Sequence, residues 1–182
     1  MVAASFDPTH AVRFDLPHGT VCAGDEDDPV LLVPAEALNA LVRSVPPEAV
    51  EALARAMGSP LGKRVAARIA QPEEASIEAF VTELAGQAAV CGLGALRVER
   101  WGHALVVVVE GSPLVAMLLG PLVASAIEAA SGRRVRCAVL SHDERAVRVF
   151  VGSDAGVSRL RHWQASGVSW GAALARLHGE MA

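Results

Sequence analysis

The chain has 182 residues, a hydrophobic share of 52%, a net charge of −4 and an isoelectric point near 5.8. The acidic balance argues against a nucleic-acid-binding protein, which usually presents a basic face. The length favours one domain of ordinary size with a sizeable core. The longest apolar run, residues 114–127, is too short to cross a bilayer, and the first residues include acidic side chains and no apolar segment, so no signal peptide is expected. We therefore expect a cytoplasmic protein without a membrane span.

The first part of the chain is predicted to be an extended segment that leads into a helix. Short strands are expected at residues 11–16 and 30–33, on either side of an acidic loop. Pro34 fits the first turn of a helix, where the N–H group that proline lacks would have no partner. An apolar stripe follows at helical spacing until Pro46 and Pro47 interrupt it.

Three further helical segments are predicted before the first hairpin. One carries Val50, Leu53, Ala54 and Met57 and ends at a turn or kink at residues 58–60. Another covers residues 61–70. The apolar residues between Glu73 and Cys91 repeat with a period close to 3.6, which predicts an amphipathic helix.

The second half of the chain alternates hairpins with one long helix. Residues 95–101 alternate between apolar and charged side chains, whereas residues 105–109 form a β-branched run that indicates a strand covered on both faces. Ser112 and Pro113 are typical of a helix start, so residues 112–130 are predicted to form the long helix, kinked at Pro121. A second hairpin is expected from residues 135–140 and 146–151.

The C-terminal tail is predicted to hold a short helix at residues 157–163 and a last helix at 169–179, separated by Gly167. The order of elements indicates an α+β fold, in which a helical N-terminal half packs on antiparallel hairpins around one long central helix. We expect a single domain over residues 1–152, with residues 153–182 as a helical tail.

This order of elements resembles the 4-vinyl-reductase-type ligand-binding domain, which shares its fold with small subunits of the TRAPP tethering complex. The similar stretches are residues 30–38, 58–64, 92–98, 107–114 and 132–136. Residues 58–64 carry a glycine-x-x-x-glycine pattern that suits a close crossing of two helices. Zinc-binding members of the family carry acidic and cysteine ligands in the last hairpin, and haem-binding relatives of the fold use a tyrosine. The corresponding hairpin here has one cysteine and the chain has no tyrosine, so no metal and no cofactor are expected.

The resemblance implies a ligand pocket between the long helix and the sheet, and dimerisation through helices in residues 34–70. The residues that we expect to line the pocket are Phe80, Leu84, Trp101, Met117, Leu118 and Phe150. An ordinary filled core is the alternative for the same residues. Cys91 and Cys137 lie in apolar runs and are expected to be buried, inert thiols.

The tail carries Arg159, Trp163 and Trp170, which could either dock on a protein partner or pack on the parent domain. No acid–base pair or metal cluster is visible, so no catalytic residue is expected and the chain is not predicted to be an enzyme. The sequence thus predicts a dimeric binding module for a small hydrophobic ligand or a protein partner, acting as a sensor or regulatory adaptor. The alternative is a structural adaptor, a scaffold subunit of a multiprotein complex that could include a small GTPase as TRAPP does.

Overall fold

The computed structural model describes residues 6–9, 11–23, 28–69, 77–102 and 104–181. Over these residues the chain forms, in order, β1 (Val12–Asp15), β2 (Thr20–Ala23), β3 (Asp28–Pro29), α1 (Ala35–Ser44), α2 (Pro47–Arg68), α3 (Ile77–Val90), β4 (Ala95–Trp101), β5 (Ala104–Glu110), α4 (Ala116–Ser131), β6 (Arg136–His142), β7 (Ala146–Gly152), α5 (Asp154–Ala165) and α6 (Trp170–Met181).

The strands form two antiparallel sheets. The small N-terminal sheet has the order β1-β2-β3, and the main sheet has the order β4-β5-β7-β6. The two predicted hairpins are joined because β5 pairs with β7, from Leu105 opposite Val151 to Glu110 opposite Ala146. The α+β class predicted from the sequence is confirmed.

Helix α4 packs on one face of the main sheet, and α2 packs on α4. Together with α1 and α3 they build an inner cluster of buried apolar residues, which includes Val42, Leu61, Val65, Leu84, Val107, Val109, Leu118, Leu122 and Val149. Gly58 and Gly62 bring the backbone of α2 onto α4, since a Cβ atom at either position would overlap with the carbonyl oxygen of Leu122 or of Ala126. The predicted close helix crossing is therefore present within the chain.

Helices α5 and α6 cover the other face of the main sheet. They build an outer cluster, which consists of Ala104, Val106, Val108, Ala138, Leu140, Ala146, Phe150, Val157, Leu160, Ala173, Leu174 and Leu177. Because side chains alternate along a strand, the valines of β5 are divided between the two clusters. The predicted burial of this strand on both faces is confirmed.

The N-terminal predictions were partly wrong. Residues 30–33 form no strand, and the strand before them, β3, has two residues. The strand β2 was not predicted. The turn or kink predicted at residues 58–60 lies inside the continuous helix α2, in which Gly58 and Gly62, on either side of Pro60, pack closely on α4. Residues 70–76, where the next helix was expected to begin, lie outside the described residues.

The long helix begins later than Ser112 and Pro113 suggested. Asn39, a buried residue of α1, donates from Nδ2 to the carbonyl oxygen of Pro113 at 2.7 Å and accepts from the amide of Val115 at 3.1 Å. These two bonds hold the chain before α4 against α1, and Val115 stays extended with ψ 143°. The first helical residue is therefore Ala116. Pro121 lies within the helix, as predicted.

Candidate functional site

An open apolar groove lies where α1, α2, the end of α3 and the start of α4 meet. Its volume is about 730 Å³. The segment that precedes α1 forms one wall, and Leu31 and Leu32 of this segment are 89% and 75% exposed. The groove is lined by Leu31, Leu32, Val33, Pro34, Ala35, Leu38, Leu53, Met57, Cys91, Gly92, Leu93, Pro113 and Leu114.

A small cavity lies deeper, between the helices and the main sheet. Its volume is about 10 Å³, roughly the space that one water molecule needs. It is lined by Leu61, Leu84, Ala88, Leu93, Leu96, Val109, Leu119, Leu122, Val123 and Ala126. The space between the long helix and the sheet is thus nearly filled in this conformation.

The groove and the cavity are the two ends of one apolar seam between α2 and α3. Leu93, which follows α3, lines both. On α2, Leu53 and Met57 line the groove and Leu61 lines the cavity. These residues are spaced four apart, so they lie one above the other on the same face of the helix. The side chains along this seam form a continuous apolar path from the surface to the core.

Cys91 stands at the outer end of the seam. It is exposed, in contrast to the expected burial, and its Sγ accepts a bond of 3.5 Å from Nη2 of Arg64. The apolar period of the sequence had predicted that Cys91 is part of the buried face of α3. The helix ends at Val90, however, so Cys91 lies just beyond it. Cys137 is buried as expected, and burial raises the pKa of its thiol to about 11. That thiol is therefore protonated at neutral pH and is a poor nucleophile.

The structure separates the residues predicted to line a pocket. Leu84 and Leu118 are buried in the inner cluster, and Phe80 packs against it. Phe150 belongs to the outer cluster on the opposite face of the sheet, because its strand neighbours Val149 and Val151 face inward. Met117 and Trp101 are 53% and 42% exposed. Of the six residues, Leu84 lines the cavity.

Most of the residues that line the seam were not predicted as site residues. The sequence did contain one usable signal, the spacing of Leu53, Met57 and Leu61 at four-residue intervals on α2. Leu93 could not be found in this way, because it lies in the connection between α3 and β4 and its position depends on the tertiary fold.

The residues proposed for partner binding lie in the outer layer. Trp163 and Trp170 are partly buried and pack against the outer cluster, and Arg159 is exposed. The ring of Trp170 meets that of Trp101 edge to face, with 5.2 Å between centroids, and Nε1 of Trp101 donates to Glu99. The two tail tryptophans thus contribute to packing on the parent domain. A partner role for Arg159, Trp163 and Trp170 stays a prediction.

Metal-binding clusters and membrane-spanning helices are both absent from the described part of the chain. Within the described ranges, no group of three or more His, Cys, Asp and Glu residues is placed to hold a metal ion. Among the helices of the same residues, none has the length and hydropathy that a membrane-spanning segment needs.

Comparisons with known proteins show a similarity of fold. No protein-family model matches the chain, and no curated protein matches it. Its structure is similar to the crystal structure of the phenol-responsive sensory domain of the transcription activator PoxR with phenol, with a TM-score of 0.60, 16% sequence identity and coverage of 92% of each chain. The 4-vinyl-reductase and TRAPP resemblance gains no support from sequence matches. The chain thus shares its fold with a sensory domain.

Proposed function

We propose that the chain is a non-enzymatic regulatory domain that senses a small apolar molecule bound along the seam between α2 and α3. The observation that carries this proposal is the open apolar groove, which shares the wall residue Leu93 with the small cavity in the core. The groove, at about 730 Å³, has the size and the apolar lining of small-molecule sites. The shared fold with a phenol-responsive domain supports the proposal by analogy, since fold alone does not determine function.

The proposal is tested with Leu93→Trp, which fills the point where groove and cavity meet. A panel of benzene, toluene and phenol is titrated into the purified full chain and followed by ligand-observed NMR. We expect at least one compound to bind the native chain and to slow alkylation of Cys91 by iodoacetamide in a Cys22→Ser background. Leu93→Trp is expected to abolish binding, because the indole occupies the seam.

Leu16→Trp is the matched control, since Leu16 is an exposed leucine of the β1–β2 turn that lines neither the groove nor the cavity. It should bind as the native chain does. Unchanged binding in Leu93→Trp, or binding without protection of Cys91, would place the ligand elsewhere.

A structural adaptor without a ligand is the second candidate function. The cavity of about 10 Å³ favours it, because the interior is nearly filled without any bound molecule. In that case no member of the panel binds, and the exposed apolar groove serves a protein contact instead.

We also propose that the chain forms a homodimer through α1 and the segment before it. Gly58 and Gly62 of α2 lie within the range that was expected to dimerise, but they pack against α4 of the same chain. The apolar side chains that stay exposed in this region are Leu31, Leu32, Val33 and Leu41. A cluster of large exposed apolar residues is typical of an interaction surface.

The dimer is tested with the double variant Leu32→Asp and Leu41→Asp. We expect a shift from dimer to monomer in sedimentation equilibrium, because two carboxylates would have to be desolvated at the contact. Leu16→Asp is the control, at an exposed leucine of the β1–β2 turn. A double variant that is as dimeric as the native chain would contradict this surface.

A further inference from the structure

A second pocket lies where the start of α4 meets the turn between β6 and β7. Its volume is about 510 Å³, and its walls also include Arg43 of α1 and the end of β5. We propose that this pocket binds a small carboxylate with an apolar body, such as an aromatic carboxylate. The site is distinct from the seam and takes a different class of ligand, so the proposal goes beyond the proposed function and does not depend on it.

Part of the pocket wall is apolar. Val109 and Val147 are paired across β5 and β7, both are buried, and both line the pocket. Met117 lines it from the first turn of α4, and its side chain is 53% exposed. An aromatic ring against these three side chains would remove apolar surface from water, which favours a ligand with an apolar body.

Two arginines give the pocket its positive charge. Arg43 and Arg145 come from distant parts of the chain, and both exposed side chains line the pocket. Within the described part of the chain, neither guanidinium group forms a hydrogen bond or an ion pair. A guanidinium group without a partner is well suited to a carboxylate, which it can bind through two parallel N–H···O bonds.

The acidic residues of the pocket shape the charge of the ligand. Oδ1 of Asp143 accepts from the amides of Arg145 and Ala146 at 2.8 and 2.9 Å, so this carboxylate is engaged with its own turn. These two bonds lower the pKa of Asp143 more than the nearby arginine charges do. Glu144 is exposed, and its charge opposes an anionic ligand. Because two carboxylates line the pocket together with two guanidinium groups, a monoanion is favoured over a doubly charged phosphate ester.

The start of α4 adds to the positive potential of the pocket. Residues 115–117 line it, and the N-cap Val115 has no side-chain oxygen that could accept from the first amides of the helix. The first turn holds no acidic side chain either. Those amides have no partner within the helix, so a carboxylate near them would be stabilised by the helix dipole.

The ligand class is tested by titrating benzoate, benzamide, acetate and phenyl phosphate into the purified full chain, followed by isothermal titration calorimetry. We expect benzoate to bind about tenfold more tightly than the other three. Benzamide has the same shape without the charge, acetate has the charge without the ring, and phenyl phosphate carries a second charge. Benzamide, acetate or phenyl phosphate binding as tightly as benzoate would overturn the proposal, and so would the absence of benzoate binding.

Charge variants test which residues hold the carboxylate. Arg43→Gln and Arg145→Gln should each weaken benzoate binding by about threefold to tenfold. Glu144→Gln should strengthen it, because the variant removes the opposing charge. Arg133→Gln is the matched control, at an exposed arginine beyond the C-terminal end of α4 that does not line the pocket. An equal loss in Arg133→Gln would reduce the effect to overall charge and would contradict the site.

The methionine methyl groups report where each ligand lies. Met117 lines this pocket and Met57 lines the groove, whereas Leu114 lines both. In a chain with isotope-labelled methionine, benzoate should shift the NMR signal of Met117 more than that of Met57, and Leu93→Trp should keep benzoate binding intact. A larger shift of Met57, or loss of benzoate binding in Leu93→Trp, would place the carboxylate in the seam and overturn the second pocket. Loss of the neutral aromatic compounds alone would instead concern the proposed function.

Discussion

Replacing Gly62 with alanine is expected to lower the free energy of unfolding by about 3 kcal/mol, toward the upper end of what overpacking costs. The new Cβ atom would overlap with the carbonyl oxygen of Ala126 and would lie 2.8 Å from the Cβ of Ala129. Both groups belong to the backbone or to a short side chain of α4, so neither can rotate away. The two helices would have to separate, and the inner cluster would lose its packing.

Thermal and urea unfolding, followed by circular dichroism, measures this effect. Gly58→Ala should act in the same direction, because its Cβ atom would overlap with the carbonyl oxygen of Leu122. Gly171→Ala is the matched control, since it is also a glycine within a helix but has no atom within 4 Å of the added Cβ. There alanine should be neutral or stabilising by about 0.5 kcal/mol. Equal stabilities for Gly62→Ala and Gly171→Ala would mean that α2 and α4 are not in backbone contact.

The features predicted well are those that depend on neighbouring residues. Strand β4 was predicted with its observed limits, because residues 95–101 alternate and Gly102 ends them. The glycine spacing at 58 and 62 was also a local signal, and it correctly predicted a close helix crossing. The glycine spacing could not predict which helix would be the partner.

The features that were missed depend on residues far apart in the sequence. The start of α4 is set by Asn39, which lies 74 residues before Pro113. Propensity at Ser112 and Pro113 favours an earlier start, and tertiary hydrogen bonds outweigh it.

The position of Phe150 was missed for another reason. Residues 147–151 are apolar on both sides of the strand except at Arg148. A strand buried on both faces carries no alternation that would tell one face from the other. The inner or outer location of Phe150 therefore depends on the register of β7 with β5, which places Val106 opposite Phe150.

Deleting residues 153–182 is expected to leave a chain that aggregates. These residues form α5 and α6, which cover the outer face of the main sheet. Without them, Val106, Val108 and Phe150 would be exposed side by side on the sheet. A contiguous apolar sheet face of this kind is an aggregation site. Solubility after expression and light scattering of the purified chain measure the effect.

A point substitution in α5 removes packing on the sheet without removing the helices themselves. Leu160 is fully buried between α5 and the sheet, so Leu160→Ala should cost about 2–5 kcal/mol of unfolding free energy. Leu16→Ala, at an exposed leucine outside the proposed dimer surface, should cost far less. If the truncated chain were soluble and cooperatively folded, and Leu160→Ala were no worse than Leu16→Ala, the outer helices would be dispensable for stability. The tail would then be available to bind a protein partner through Arg159, Trp163 and Trp170. A severe loss of stability in both the truncated chain and Leu160→Ala would instead assign these helices to the domain itself.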